Sequence, residues 1–287
     1  MDHGGNKLMQ PIDYEVEYNN RARVPEHAQI MARWAADAAL YCREISAHVE
    51  IGVGYGGSPR QYYDLFPCET ERCDALVMFI HGGYWQALDP SSFSHMARGL
   101  NAHGVPVAVP GYNLCPDVTV TAIIDEMRNC AIKLWRRFHK PIVVAGHSAG
   151  GHLAACLIGT NWPKFAPDLP PALVRSALSL SGLFDLAPLT YTSINTKLML
   201  DETFAKIASP LFWQAPAGLT FDAVVGGDES PEYLRQSRVM ADIWGLEGVR
   251  TRFEAVPGAN HFTIIEPLAD PDSRLVARLA QLAGVRG

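Results

Sequence analysis

The residues best placed to do chemistry are Gly146-His147-Ser148-Ala149-Gly150, which directly follow the apolar run 142–145. A serine that ends a buried strand and opens a helix sits in a strained turn. Flanking glycines remove the side chains that would clash in such a turn. The turn lifts the hydroxyl out of the sheet and places it at a helix N-terminus. The pattern therefore predicts Ser148 as a nucleophile.

A second glycine motif, His81-Gly82-Gly83-Tyr84-Trp85, directly follows the apolar run 75–80. Glycines allow backbone N–H groups to approach a reacting carbonyl closely. We expect the amides of Gly82 and Gly83, together with that of Ala149, to bind the oxyanion formed during acyl transfer. For His81 we expect a hydrogen bond that braces the loop and no direct part in the chemistry.

Two late residues complete a serine–histidine–acid triad. Asp228 ends one predicted strand, and His261 follows the next. The order Ser148, Asp228, His261 along the chain is that of hydrolases whose serine lies on a strand-to-helix turn. We expect Asp228 to orient the imidazole, and His261 to take the serine proton and pass it to the leaving group.

Three other residues are candidates for the same roles. Glu229 is one position further into the loop than Asp228, and we expect it to face solvent or substrate. Asp185 follows another strand and is expected to brace a cap. His152 lies on the helix after the serine, where packing is the expected role.

The sequence from residue 49 onward alternates short apolar runs with amphipathic segments. This alternation predicts an α/β fold with a mostly parallel central sheet and helices on both faces, in a single domain over residues 1–287. In such sheets ligands bind beyond the carboxyl ends of the strands. The predicted strands are 49–54, 61–66, 75–80, 105–109, 141–145, 174–180, 219–225 and 250–256. The predicted helices are 93–102, 120–138, 150–158, 232–244 and 273–282.

Two further segments are candidates for a small helical cap over the site. Residues 28–45 have the apolar spacing of an amphipathic helix. This helix either covers the main body as a cap or packs on the edge of the sheet. Residues 184–218 have little strand character and several aromatic side chains, as in an insertion that covers a site.

Composition excludes several classes of protein. The 287 residues are 48% hydrophobic and 19% charged, with a net charge of −6, so nucleic acid is not an expected partner. No apolar run reaches the length of a membrane span, and Met1–Gln10 lack the apolar core of a secretory signal. We therefore expect a cytoplasmic protein with a small-molecule substrate. The six cysteines have no metal-site spacing and are expected to be free thiols, and no metal or other cofactor is required.

The motifs together resemble the kynurenine formamidase (arylformamidase) branch of the α/β hydrolases. The resemblance rests on His81-Gly82-Gly83-Tyr84-Trp85-Gln86, on Tyr112-Asn113-Leu114-Cys115-Pro116 and on the serine motif with His152, and it covers about residues 74–262. It implies an α/β-hydrolase fold with the same triad and oxyanion loop. A homodimer is common in such enzymes. Relatives of this branch also act on other amides, esters or carbamates.

Aromatic residues on the predicted site loops suit a flat aromatic substrate. Tyr84, Trp85, Tyr112 and Phe262 are the expected substrate-binding residues. A formyl group needs almost no acyl pocket, whereas the aryl amine it leaves needs a broad one. An aryl ester fits this description equally well, so a carboxylesterase for small esters or carbamates is an alternative. The alternative outside enzymology is an inactive hydrolase-fold binding protein.

Overall fold

The computed structural model describes residues 11–285, so the interpretation of Met1–Gln10 lies outside the described residues. These residues build an eight-stranded sheet in the order β1-β2-β4-β3-β5-β6-β7-β8. Strand β2 pairs antiparallel with β1 and β4, and the remaining neighbours are parallel. The strands are β1 (Glu50–Gly54), β2 (Tyr62–Phe66), β3 (Leu76–Ile80), β4 (Val107–Pro110), β5 (Ile142–His147), β6 (Val174–Leu180), β7 (Thr220–Gly226) and β8 (Arg250–Val256).

Helices cover both faces of this sheet. Those described are α1 (Tyr14–Tyr18), α2 (Asn20–Arg23), α3 (His27–Glu44), α4 (Arg98–Ala102), α5 (Val120–Phe138), α6 (Ala149–Ile158), α7 (Asn195–Leu198), α8 (Glu202–Ile207), α9 (Pro231–Leu246) and α10 (Arg274–Ala283). Buried side chains of α1, α5, α6 and α9 share one core with the sheet, and those of α3, α4 and α10 share the other. The predicted α/β architecture is therefore correct.

The central strands β3 and β5 are buried along their whole length, because helices cover both of their faces. Their parallel register runs from Leu76 opposite Ile142 to Ile80 opposite Gly146. Both strands consequently end at the same edge of the sheet. The loops that follow them, with the two glycine motifs, are brought side by side at that edge.

The segment predicted as one helix over 93–102 is a 3₁₀ turn, Ser94–Ala97, followed by α4. Four consecutive side chains from Ser94 to Ala97 are buried, so this segment has no solvent-facing side. The amphipathic pattern expected of a surface helix is therefore absent from this turn.

Candidate active site

The turn at Ser148 has a geometry that requires glycine at positions 146 and 150. Ser148 has φ 56° and ψ −117° between β5 and α6, a conformation that L-residues rarely adopt. A Cβ on Gly146 would lie 2.1 Å from the carbonyl oxygen of Gly150, and a Cβ on Gly150 would lie 2.0 Å from that of Ile80. Only glycine fits at either position. The turn therefore holds the Ser148 side chain at the carboxyl edge of the sheet.

His261 lies within hydrogen-bond distance of this serine. Its Nε2 is 3.1 Å from Ser148 Oγ, and its Nδ1 is 2.7 Å from Glu229 Oε2. Because a carboxylate oxygen only accepts, Nδ1 carries the proton and donates it to Glu229. This leaves Nε2 with a free lone pair directed at the serine hydroxyl. The arrangement is that of a general base ready to deprotonate a nucleophile.

The acid of this triad is Glu229, and the expectation that Asp228 fills the role is wrong. After β7 ends at Gly226, the chain makes a tight turn in which the Glu229 amide donates to the Gly226 carbonyl at 3.2 Å. The turn exposes the Asp228 side chain and directs that of Glu229 inward, where the residue is only 5% exposed. The longer glutamate side chain then reaches back to the imidazole.

Two further donors fix the Glu229 carboxylate. The Gly226 amide donates to Oε1 at 2.7 Å, and the Ser181 hydroxyl also donates to Oε1. Both oxygens are therefore engaged before any substrate binds. Ser181 follows β6 with φ 54°, so this support comes from the neighbouring strand end.

A second histidine, His147, positions the catalytic His261. His147 Nε2 donates to the His261 carbonyl oxygen at 2.8 Å, and the two rings lie 4.9 Å apart. Complete burial lowers the pKa of His147 well below its usual value, so the ring stays neutral at physiological pH. The sequence motif contained His147, but nothing in its spacing indicated this role.

The predicted oxyanion loop lies against the serine. A Cβ on Gly82 would be 2.9 Å from the His147 carbonyl oxygen and 3.0 Å from Ser148 Cβ, so the loop backbone is in close contact with the nucleophile. None of the hydrogen bonds formed within residues 11–285 uses the backbone N–H of Gly82, Gly83 or Ala149. These amides are thus free to receive a developing oxyanion.

A cavity of about 370 Å³ opens beside Ser148 and His261. Tyr84 and Phe262, two of the expected substrate-binding residues, line it. Its other lining residues are Glu15, Tyr18, Asn19, Asn20, Arg21, Met31, Trp34, Gly83, Gln86, Ala87, Leu88, His147, Ser193, Ile194 and Lys197.

The other two expected substrate-binding residues, Trp85 and Tyr112, are fully buried and do not line this cavity, so that prediction is wrong. Trp85 packs edge-on against His152, with ring centroids 4.9 Å apart. Tyr112 stacks on His81 at 4.5 Å, and its hydroxyl donates to the His81 carbonyl at 3.0 Å. Both rings support the oxyanion loop from behind, because the loop turns them into the core.

The residues predicted to be structural are engaged in structural contacts. His81 Nδ1 donates to the Gly82 carbonyl at 2.7 Å, and His152 Nε2 donates to that of Ala208 at 2.7 Å. Burial lowers the pKa of each ring to about 4. Asp185 accepts from the Ala187 amide at 3.0 Å at the start of the insertion.

Sequence reasoning missed the segment 13–23, which forms one side of the cavity. Its helices α1 and α2 are too short for a hydrophobic period. Their only local signals are the caps, because Asp13 accepts from the Val16 amide at 3.2 Å and Asn19 from the Ala22 amide at 3.1 Å. The predicted helix over 28–45 is α3, and it both packs on the body and contributes Met31 and Trp34 to the cavity.

The chemistry available is that of a serine nucleophile. Residues 11–285 contain no group of three or more histidine, cysteine or acidic side chains arranged to hold a metal. Within the same range, no helix has the length and apolar character needed to cross a membrane.

Comparisons with known proteins show which hydrolases the chain is similar to. Residues 77–215 match a family described as having the alpha/beta hydrolase fold. The chain is 30% identical to a kynurenine formamidase of Salmo salar, with 83% of each chain covered. It is 31% identical to one of Drosophila melanogaster, with 76% of each covered. A crystal structure from Silicibacter sp. TM1040, assigned as a thioesterase, is 35% identical with a TM-score of 0.85, and the match covers 93% of this chain and 98% of that one.

Proposed function

Because the chain belongs to the kynurenine formamidase family of α/β hydrolases, we propose that it hydrolyses N-formyl arylamines, with N-formylkynurenine as the best candidate substrate. The observation that carries the proposal is the Ser148–His261–Glu229 triad, which faces a cavity lined by aromatic side chains. The family membership supplies the reaction class, and the cavity supports an aromatic leaving group.

The reaction proceeds in two halves. Ser148 Oγ attacks the formyl carbon while its proton passes to His261 Nε2, and the amides of Gly82, Gly83 and Ala149 receive the oxyanion. The imidazolium, stabilised by Glu229, then protonates the arylamine nitrogen as the carbon–nitrogen bond breaks. Water activated by His261 attacks the formyl-enzyme, releasing formate and restoring the serine.

The surroundings of the serine support a small acyl group. The Gly82 backbone lies so close to Ser148 Cβ that even an added methyl group would be only 3.0 Å from it. Trp34 and Phe262, whose rings pack against each other with centroids 6.0 Å apart, also line the cavity. A formyl group fits beside the Gly82 backbone, and these two rings supply an apolar surface for a flat aryl amine.

The test is the rate of hydrolysis of N-formyl-L-kynurenine, followed by formate release, with 4-nitrophenyl acetate assayed alongside. We expect a kcat/KM above about 10⁴ M⁻¹s⁻¹ for the formamide. Ser148→Ala is the control, and it should lose about 10⁴-fold or more in kcat on both substrates while keeping its melting temperature.

A carboxylesterase for small esters or carbamates is the second candidate, favoured by the same triad and by the 35% identical relative assigned as a thioesterase. If only the ester is hydrolysed, the triad assignment stands and the formamidase assignment fails. If Ser148→Ala hydrolyses either substrate as fast as the wild type, both assignments fail.

We also propose a cytoplasmic location. The support is the state of the six cysteines, which are all free thiols in the structure. Fractionation of the source cells tests it, and recovery of the protein outside the cytoplasm would contradict it.

A further inference from the structure

One side of the catalytic cavity carries charges that the proposed mechanism does not use. Arg21 on α2 and Lys197 on α7 both line it, and both are exposed at its mouth. Neither has an ion-pair partner among the residues that the structure describes. Two uncompensated cations therefore lie at the entrance to a site in a protein whose net charge is −6.

A carboxylate lies on the same side of the cavity but does not neutralise them. Glu15 accepts from the Ser193 amide at 2.7 Å and from the Ser193 hydroxyl at 2.9 Å. Hydrogen bonds from the Ser193 backbone and side chain lower the pKa of Glu15, so it is ionised. Its bonds to these groups are made with neutral donors, and its charge stays uncompensated.

The backbone beneath Arg21 is held in place. The preceding residue, Asn20, is buried and donates through Nδ2 to the hydroxyls of Tyr84 at 3.2 Å and Tyr233 at 2.9 Å. The Tyr84 hydroxyl in turn donates to the Tyr18 carbonyl at 2.6 Å. The guanidinium is thus carried on a segment that is anchored beside the triad.

Another part of the cavity lining is apolar and belongs to a single core cluster. Met31, Trp34, Leu88 and Phe262 form it and present no charged group. A ligand that matches both parts has an aromatic body and a charged head with both signs. Guanidinium and ammonium groups bind carboxylates, and a carboxylate binds ammonium.

We infer that Arg21, Lys197 and Glu15 form a subsite for the α-amino-acid head group of the leaving arylamine. The substrate carboxylate binds Arg21 and Lys197, its ammonium binds Glu15, and its aromatic ring lies on the apolar part. This inference rests on the proposed function, because it assigns the head group of the amine that the reaction releases.

The experiment compares two formamides that differ only in the head group. N-formyl-L-kynurenine carries the amino-acid end, and 2′-formamidoacetophenone has the same ring, ketone and formamide without it. The variants are Arg21→Gln, Lys197→Gln and their combination. Arg23→Gln is the matched control, since Arg23 is exposed on the same short helix and does not line the cavity.

In the double variant we expect the KM for N-formyl-L-kynurenine to rise about tenfold and kcat to stay within about twofold. Values for the uncharged formamide, and for Arg23→Gln on both substrates, should stay within about twofold. Added salt should raise the wild-type KM for the charged substrate alone. Equal losses on both formamides, or no change on the charged one, overturn the inference.

Failure of the proposed function is a separate outcome. It is shown by a wild type that cleaves 4-nitrophenyl acetate and neither formamide. The same variants are then compared on O-acetyl-L-tyrosine and 4-methylphenyl acetate. A KM increase confined to the tyrosine ester supports the subsite independently of the formamidase assignment, and equal behaviour on the two esters overturns it.

Discussion

Two regions meet at the catalytic cavity, and they differ in how much of their side-chain surface is exposed. The strand-end site comprises the loops at 81–85, 146–150, 226–229 and 257–262, and its functional side chains are buried at the edge of the sheet. The polar wall comprises residues 13–23 and 187–207, and its surface side chains include Tyr191 at 70% and Met199 at 63% exposure. The first region rests on two apolar cores, whereas the second combines a few core residues, such as Tyr18, Leu189 and Leu198, with side-chain hydrogen bonds near the surface.

Hydrogen bonds such as those between Glu15 and Ser193 attach the polar wall to itself, and others join it to α9. Tyr18 donates to Glu232 Oε2 at 2.9 Å, and Gln236 Nε2 donates to the Tyr18 hydroxyl at 2.6 Å. The bonds on the exposed part of the wall, such as those between Glu15 and Ser193, contribute little each to stability. The catalytic side chains are thus held at buried strand ends, while the proposed head-group subsite lies on an exposed surface.

The largest expected effect separates the two adjacent acids in the strand-end site. Glu229→Gln should lower kcat about 10³- to 10⁴-fold, because the amide no longer holds His261 in the reactive tautomer. Asp228→Asn should stay within about twofold of the wild type, since its side chain is exposed. The measurement is the initial rate of both variants on one substrate. A large loss in Asp228→Asn and none in Glu229→Gln would show that Asp228 is the acid.

A smaller effect is expected from the oxyanion loop. Gly82→Ala should lower kcat about 10²- to 10³-fold, because its Cβ would push the loop away from His147 and Ser148 and misplace the oxyanion amides. Gly57→Ala is the control, since a Cβ there meets nothing within 4 Å. A Gly82→Ala enzyme with normal kcat would remove this loop from the oxyanion site.

The pH dependence of stability should report on two buried histidines, His81 in the strand-end site and His152 on α6. The pKa of buried His81 and of buried His152 is lowered from 6.5 to about 4. Between these values the unfolded chain binds more protons than the folded one, so the free energy of unfolding falls as pH drops from about 6.5 to about 4. The loss is on the order of 1–3 kcal/mol for each histidine.

Urea unfolding at pH 7 and pH 4.5 measures this loss, and His152→Gln isolates one histidine. The glutamine keeps a donor for the Ala208 carbonyl but does not titrate. The variant should therefore lose less stability than the wild type over the same pH interval. Equal losses would mean that His152 is not held neutral by burial.

The smallest effect belongs to the polar wall. Ser193→Ala removes one of the bonds to Glu15 and leaves the backbone amide in place. The free energy of unfolding should change by less than about 0.5 kcal/mol, and KM by about threefold at most. A large loss of stability would show that the wall is as firmly built as the strand ends.

Much of the fold could be predicted from the sequence, because the patterns that indicate strands and helices lie within short segments of the chain. The period of α5 predicts Val120–Phe138 with the bounds that the structure has, and the apolar runs locate all eight strands to within about two residues. Ser148 and His261 could also be predicted, because glycine spacing and the ends of strands are properties of short segments. Helices α1 and α2 were not, since four or five residues show no period.

The sequence by itself determined the α/β architecture, the nucleophile and the base, because each depends on a pattern within a few residues. Only the tertiary structure decided which neighbouring acid faces His261, since the turn after β7 sets the direction of each side chain. It also decided that Trp85 and Tyr112 pack behind the loop, while segment 13–23 reaches the cavity. These outcomes depend on contacts between residues far apart in the chain, which no local pattern records.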